Sequence, residues 1–183
     1  MTKSIYDDDF QLQKEDHSYH YQEELTPKLD ALKQPFDQGV INEIVLWKVN
    51  RYAGVQKETL GLLNQIDSDA KEMDEDLTRE VLKGLLKTKG IQLPMASTIL
   101  RFKNKNVYQI IDQRVYRIIY SGETLKTPTY CSERSIQSQI ELYFKYLTDL
   151  HKACEKLDIP FEASDRILYM ADKRVNKDSS LAK

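Results

Sequence analysis

The sequence predicts an all-α fold, and three observations carry that expectation. There are only 6 Gly and 5 Pro among 183 residues, too few turn formers for a loop-rich all-β architecture. Apolar residues recur at three- and four-residue spacing along most of the chain, the period of a helix with one buried face. No stretch alternates apolar and polar residues between turn signals at both ends, as a half-buried strand would. A mass of 21.4 kDa suits one compact domain or two small lobes.

Residues 1–33 read as an acidic arm mixing aromatics with His17 and His20, running into a short helix at about 22–33. Pro27 falls in that helix's first turn, where its missing N–H costs little. A main domain spans 34–174, and the tail at 175–183 is expected to fray. Within the domain, Ile41, Ile44, Val45, Leu46 and Val49 mark one helix, and Leu60, Leu62, Leu63 and Ile66 a short second one. Leu77, Val81, Leu82, Leu85 and Leu86 follow from an acidic start, which suits the positive end of a helix dipole. Leu93 to Phe102 forms the next helix, with Pro94 in its first turn, and Val107 to Ile119 a strongly apolar one at about 107–120. A long helix from about Ser132 to Leu157 places Ile136, Ile140, Tyr143, Phe144, Leu147, Leu150 and Cys154 on one face, and Asp158 to Pro160 ends it. Ser164 to Arg174 is the last helix.

Several function classes are set aside by composition. No apolar run approaches the roughly 20 residues a bilayer span needs, and the N-terminus has no apolar signal region, so a cytoplasmic protein without a membrane partner is expected. Cys131 and Cys154 are the two cysteines, too few for a four-thiolate zinc site or an iron–sulfur cluster. His17 and His20, three apart with no third ligand nearby, read as polar surface. No metal or cofactor is expected.

The formal net charge of -2 hides a strong segregation. Residues 1–31 carry eight acids against three bases, and residues 67–80 seven acids against two. Residues 83–126 carry nine bases against Asp112 and Glu123, a local net of +7. Such a segment can be a solvated helical face or an anion-binding face. Its first part, Lys87-Thr88-Lys89-Gly90-Ile91-Gln92, links two helices as a hairpin. Gly90 permits a positive φ, Ile91 can tuck under the turn, and backbone N–H groups then join the next helix's N-terminus in a phosphate cradle with Lys87 and Lys89 at its mouth.

The stretch from Lys89 to Leu100, followed by Tyr108-Gln109-Ile110-Ile111-Asp112-Gln113-Arg114-Val115-Tyr116-Arg117, resembles the core of the helix-hairpin-helix DNA glycosylases. Gly90-Ile91-Gln92 takes the place of that superfamily's Gly-Val-Gly, Ala96 that of the helix alanine, Asp112 that of the catalytic aspartate, and Arg117 that of the arginine five residues on. Trp47-Lys48-Val49-Asn50-Arg51 and Asp165-Arg166-Ile167-Leu168-Tyr169 fit elements of a divergent branch, so the resemblance covers roughly 40–172. It implies a two-lobed all-α bundle in which the hairpin grips the DNA backbone through Lys87, Lys89, Gly90, Ile91 and Gln92, with Arg114 and Arg117 beside it. A flipped nucleotide enters a pocket bearing Trp47, Lys48 and Arg51, and Asp112 assists hydrolysis of the N-glycosidic bond. A carboxylate there can stabilise the positive charge that builds on the sugar or activate water.

The sequence departs from the pattern in three places. Gln92 replaces the hairpin's second glycine, Pro94 stands where bifunctional members carry a lysine nucleophile, and a cysteine cluster is absent. Pro94 has no amine to form an imine, so the resemblance implies a monofunctional hydrolase and argues against lyase chemistry. The residues alone leave alternatives. Asp112 also fits a helix N-cap, Trp47 a core position, and Lys48 and Arg51 a solvated face. A non-catalytic DNA-binding module and a helical protein-interaction domain both fit the same segments.

Overall fold

The computed structural model describes residues 11, 13–17, 21–33, 35–49, 53–128, 132–177 and 179. Among them there are eight α-helices and no strand. His20, Arg51, Cys131 and most of the acidic arm lie outside the described residues. No described helix is long and apolar enough to cross a membrane.

The chain divides into two compact units, Met1–Tyr52 and Ala53–Lys183. The sequence places the boundary after residue 33, but helix α2 (Gln38–Lys48) packs with α1 (Leu25–Asp30) in the first unit. Polar contacts explain the grouping. The Tyr21 hydroxyl donates to the Trp47 carbonyl at 2.7 Å, Trp47 Nε1 donates to Thr26 Oγ1 at 2.9 Å, and Lys28 pairs with Glu43. Asp37 caps α2 by accepting the Val40 N–H at 2.8 Å.

The second unit holds α3 (Lys57–Gln65), α4 (Glu75–Lys87), α5 (Leu93–Lys103), α6 (Gln113–Ile119), α7 (Glu133–Leu157) and α8 (Ser164–Val175). Its core gathers Val81, Leu82, Leu85 and Leu86 of α4, Leu93, Ala96 and Leu100 of α5, and Ile136, Ile140, Tyr143, Leu147 and Leu150 of α7. The expected apolar face of α7 is buried except for Phe144, which is half-buried. Each buried leucine contributes about 2 kcal/mol of apolar transfer. Helix α3 meets α4 at Gly84, where an added Cβ would collide with the Thr59 side chain. Only glycine allows that approach.

Helix ends follow the capping residues. Asp74, Asp112 and Ser132 sit at N-caps and accept the N–H groups of Leu77, Val115 and Ser135. Asp158 ends α7 in the left-handed region at φ 52°. One expected helix is shorter than its apolar spacing suggests. The pattern from Val107 to Ile119 predicts a helix at about 107–120, but α6 begins only at Gln113. The preceding residues are held as a non-helical segment by side chains from elsewhere. Tyr143 and Tyr146 of α7 donate their hydroxyls to the carbonyls of Gln109 at 2.9 Å and Ile110 at 2.7 Å, and the Ile111 N–H donates to Ser97 Oγ of α5 at 3.2 Å. Those backbone groups are therefore satisfied without a helical turn.

Candidate functional site

Two features of the second unit bear on function: the turn between α4 and α5, and a cavity walled by α5, α8 and the segment before α6. The turn forms because α4 runs out of helical partners at Thr88. The Thr88 N–H bonds to the Leu85 carbonyl at 3.0 Å, and the Ile91 N–H closes the loop on the Thr88 carbonyl at 3.1 Å. Gly90 sits at φ 87°, a conformation that glycine adopts without steric cost. Ile91 is buried beneath the turn, while Lys89, Gly90 and Gln92 are exposed. Gln92 occupies the α5 N-cap at φ -108°, ψ 172°, so the position that holds glycine in the resembling pattern is ordinary extended backbone here. Its side chain makes no capping bond. Among the described residues the N–H groups of Lys89, Gly90 and Gln92 donate to no acceptor. Lys87 ends α4 and pairs with Glu133 at 2.6 Å.

Pro94 lies in the first turn of α5, and its carbonyl accepts the hydroxyls of Ser97 and Thr98 at 2.8 Å each. Ser97 thereby links the start of α5 to the backbone of Ile111, the residue immediately before the Asp112 N-cap.

The cavity has a volume of about 410 Å³, and Phe102, Ile110, Asp112, Asp165, Arg166, Tyr169 and Met170 line it. That volume lies within the range of small-molecule sites. Its walls are apolar, with Phe102 and Met170 strongly exposed at the rim, and two carboxylates face the interior. Asp112 reaches it because the pinned segment at 109–111 fixes where α6 begins. Its Oδ1 accepts the Val115 N–H at 2.8 Å, so one side chain both caps the helix and lines the cavity. Burial raises the Asp112 carboxyl above its ordinary value. The N–H groups of Val115 and Arg114 and the Arg114 charge oppose that rise, and the neighbouring Asp165 adds to it.

Arg114 and Arg117 have a different setting from the phosphate contacts expected of them. Both turn onto Asp172 of α8, which is fully buried. Arg117 grips it through Nε and Nη2 at 2.9 and 2.7 Å, and Arg114 Nη1 approaches at 3.1 Å. This bidentate clamp, with Asn176 added at 2.7 Å, lowers the Asp172 carboxyl to about 2, the Arg117 bond being the largest cause. The pair of arginines fastens α6 to α8.

Trp47 belongs to the first unit, where it meets Tyr21 edge-on at 5.2 Å between ring centroids. Lys48 is exposed on the same helix. The cavity lining is drawn wholly from the second unit. Asp165 and Tyr169, which the sequence offers only as part of an element of the resemblance and not as site residues, and Phe102, which it offers only as a helix end, share the cavity with Asp112. Asp165 stands in the first turn of α8, where an acid is expected simply for the helix dipole; nothing in its local pattern marks it. Among the described residues no cluster of three or more His, Cys, Asp or Glu side chains could hold a metal ion. No protein-family model matches the chain, and no curated protein or solved structure matches it significantly.

Proposed function

We propose that the chain binds DNA backbone through the turn at 87–92 and works in its cavity as a monofunctional DNA N-glycosylase, with Asp112 assisting hydrolysis. The observation that carries this reading is the double placement of Asp112, which caps α6 through Oδ1 and lines an apolar cavity at the same time. A carboxylate raised by burial is well suited to accept a proton from water. It can also face the positive charge that develops on a sugar as its bond to a base breaks.

The turn supports the DNA side of the reading. Unused N–H groups at Lys89, Gly90 and Gln92, the N-terminus of an 11-residue helix, and an exposed lysine all favour an anion at one place. The carbonyl-engaged Pro94 offers no nucleophilic amine, so the reading is hydrolytic.

The test is base release from duplexes carrying uracil, alkylated or oxidised bases, comparing the full chain with Asp112→Asn. Release that falls roughly 100-fold or more in the variant supports the enzyme. Salt-sensitive binding with no release from any duplex leaves a non-catalytic DNA-binding module, in which Asp112 is a helix cap only. Absence of binding returns the fold to a helical protein-interaction role.

A further inference from the structure

Asp165 is the more deeply buried of the two carboxylates in the cavity, and its surroundings do not use it up. Its side chain is 4% exposed. Oδ1 accepts the Arg166 N–H at 2.7 Å. Oδ2 takes no hydrogen bond among the described residues; its nearest cation is Arg101 Nε at 3.8 Å, beyond hydrogen-bonding reach. Arg101 is itself 8% exposed along its side chain. Its Nη2 donates to the Glu162 carbonyl at 3.2 Å, while Nε has no partner.

A buried ion pair recovers the cost of desolvation only through close, hydrogen-bonded geometry. This pair matches charge without closing. A structural pair gains from closing, whereas one that must present a carboxylate oxygen to a ligand does not. Buried polar atoms without partners are uncommon and call for a functional or structural reason. Here that atom is Arg101 Nε, and the carboxylate it does not close on belongs to a residue that lines the same cavity as Asp112. The charged and titratable groups around the pair are Arg114 of α6, Arg101 of α5, Tyr143 and Tyr146 of α7, and Arg166 and Tyr169 of α8.

We propose that Asp165 is the second working carboxylate of this cavity, dividing the hydrolysis with Asp112. The proposal rests on the glycosylase reading. Water adds its oxygen to the sugar carbon C1′ as the bond from C1′ to the base nitrogen breaks. That bond's electron pair leaves with the nitrogen, which takes up a proton from solvent water. The proton lost by the attacking water passes to Asp112. Asp165, its charge matched by Arg101, faces the positive charge on the sugar. Two carboxylates in unlike settings divide acid–base and electrostatic work in this way.

The experiment uses the full chain and reads two quantities in Asp165→Asn: base release under single-turnover conditions, and the midpoint of Asp112 followed by carboxyl carbon NMR. The expected result is a loss of roughly 100-fold in release with duplex affinity within about twofold of the parent. The Asp112 midpoint moves down, because a like charge that raised it is gone. Asp165→Glu, which keeps the charge, recovers part of the rate. If Asp165→Asn is too unstable to purify, Arg101→Gln combined with Asp165→Asn removes both charges together and carries the same rate test. Unchanged release overturns the proposal, as does equal loss in the Asn and Glu variants with an unmoved Asp112 midpoint. Failure of the parent protein to release any base overturns the glycosylase reading and the catalytic role with it. The NMR titration then separately decides whether the two carboxylates are coupled.

Discussion

Lys89 and Arg117 belong to the same basic segment of the sequence, and the fold treats them in opposite ways. Lys89 stands exposed on the α4–α5 turn, with no carboxylate partner among the described residues. Arg117 closes a two-point clamp on buried Asp172. Arg101 faces Asp165 and Lys87 faces Glu133 in the same inward or lateral sense. Lys105 and Lys126 remain exposed like Lys89. A local net charge of +7 therefore overstates the positive surface offered to an anion. For Lys87, Arg101, Arg114 and Arg117 the outcome is decided by an acid that arrives from a distant part of the chain. One set of cations holds the fold together, and the other stands exposed.

The sharpest way to break this contrast is Asp172→Asn, which removes the carboxylate that Arg114 and Arg117 share. The variant is expected to lose about 3 kcal/mol, a drop of roughly 10 °C in melting temperature, while duplex affinity of the folded protein stays within about twofold. Loss of affinity without loss of stability would place Arg114 and Arg117 on the DNA side instead. Acid titration asks the same question without mutation. Asp172 is held at about 2, below the ordinary carboxylate value, so its contribution is fully present above about pH 4. It is lost as pH falls from there toward 2 and amounts to about 2 kcal/mol. Chemical denaturation across that window should show this loss in the parent and a flatter profile in Asp172→Asn.

A smaller effect is expected at the turn. Lys89→Glu should weaken binding to duplexes of any sequence about tenfold and reduce the dependence of log affinity on log salt by about 1 to 2, with melting unchanged. An unaltered salt slope would remove the turn from the interface. The smallest effect belongs to Gln92→Gly. The backbone at Gln92 is extended, so restoring glycine relieves nothing, and stability should move by no more than about 0.5 kcal/mol with no gain in affinity.

The features legible in the sequence are those set by near neighbours. Asp74, Asp112 and Ser132 cap their helices within three residues, Gly90 makes its turn locally, and the buried face of α7 follows its own spacing. The parts that were not legible depend on remote partners. Asp172 meets Arg117 across 55 residues, and Arg101 reaches the carbonyl of Glu162 across 61. Helix α2 shows the same limit from the other side. Its Ile41, Val45, Leu46 and Val49 are spaced for burial, yet all four are exposed. Period describes a face; it does not say whether anything covers it. The apolar run before Asp112 misleads for a related reason, since hydroxyls from α7 and α5 replace the helical partners of its backbone.

Those hydroxyls have a consequence for the order in which the molecule assembles. The α4–α5 turn is built from residues adjacent in the chain and can form as soon as they emerge. The place of Asp112 depends on Tyr143 and Tyr146, which bond to backbone 34 and 36 residues earlier, and a loop of that length must close before the segment is fixed. A nascent chain halted before α7 would carry a finished turn and an unset carboxylate. During synthesis, the turn that the proposed reading gives to DNA matures ahead of the carboxylate that it gives to hydrolysis.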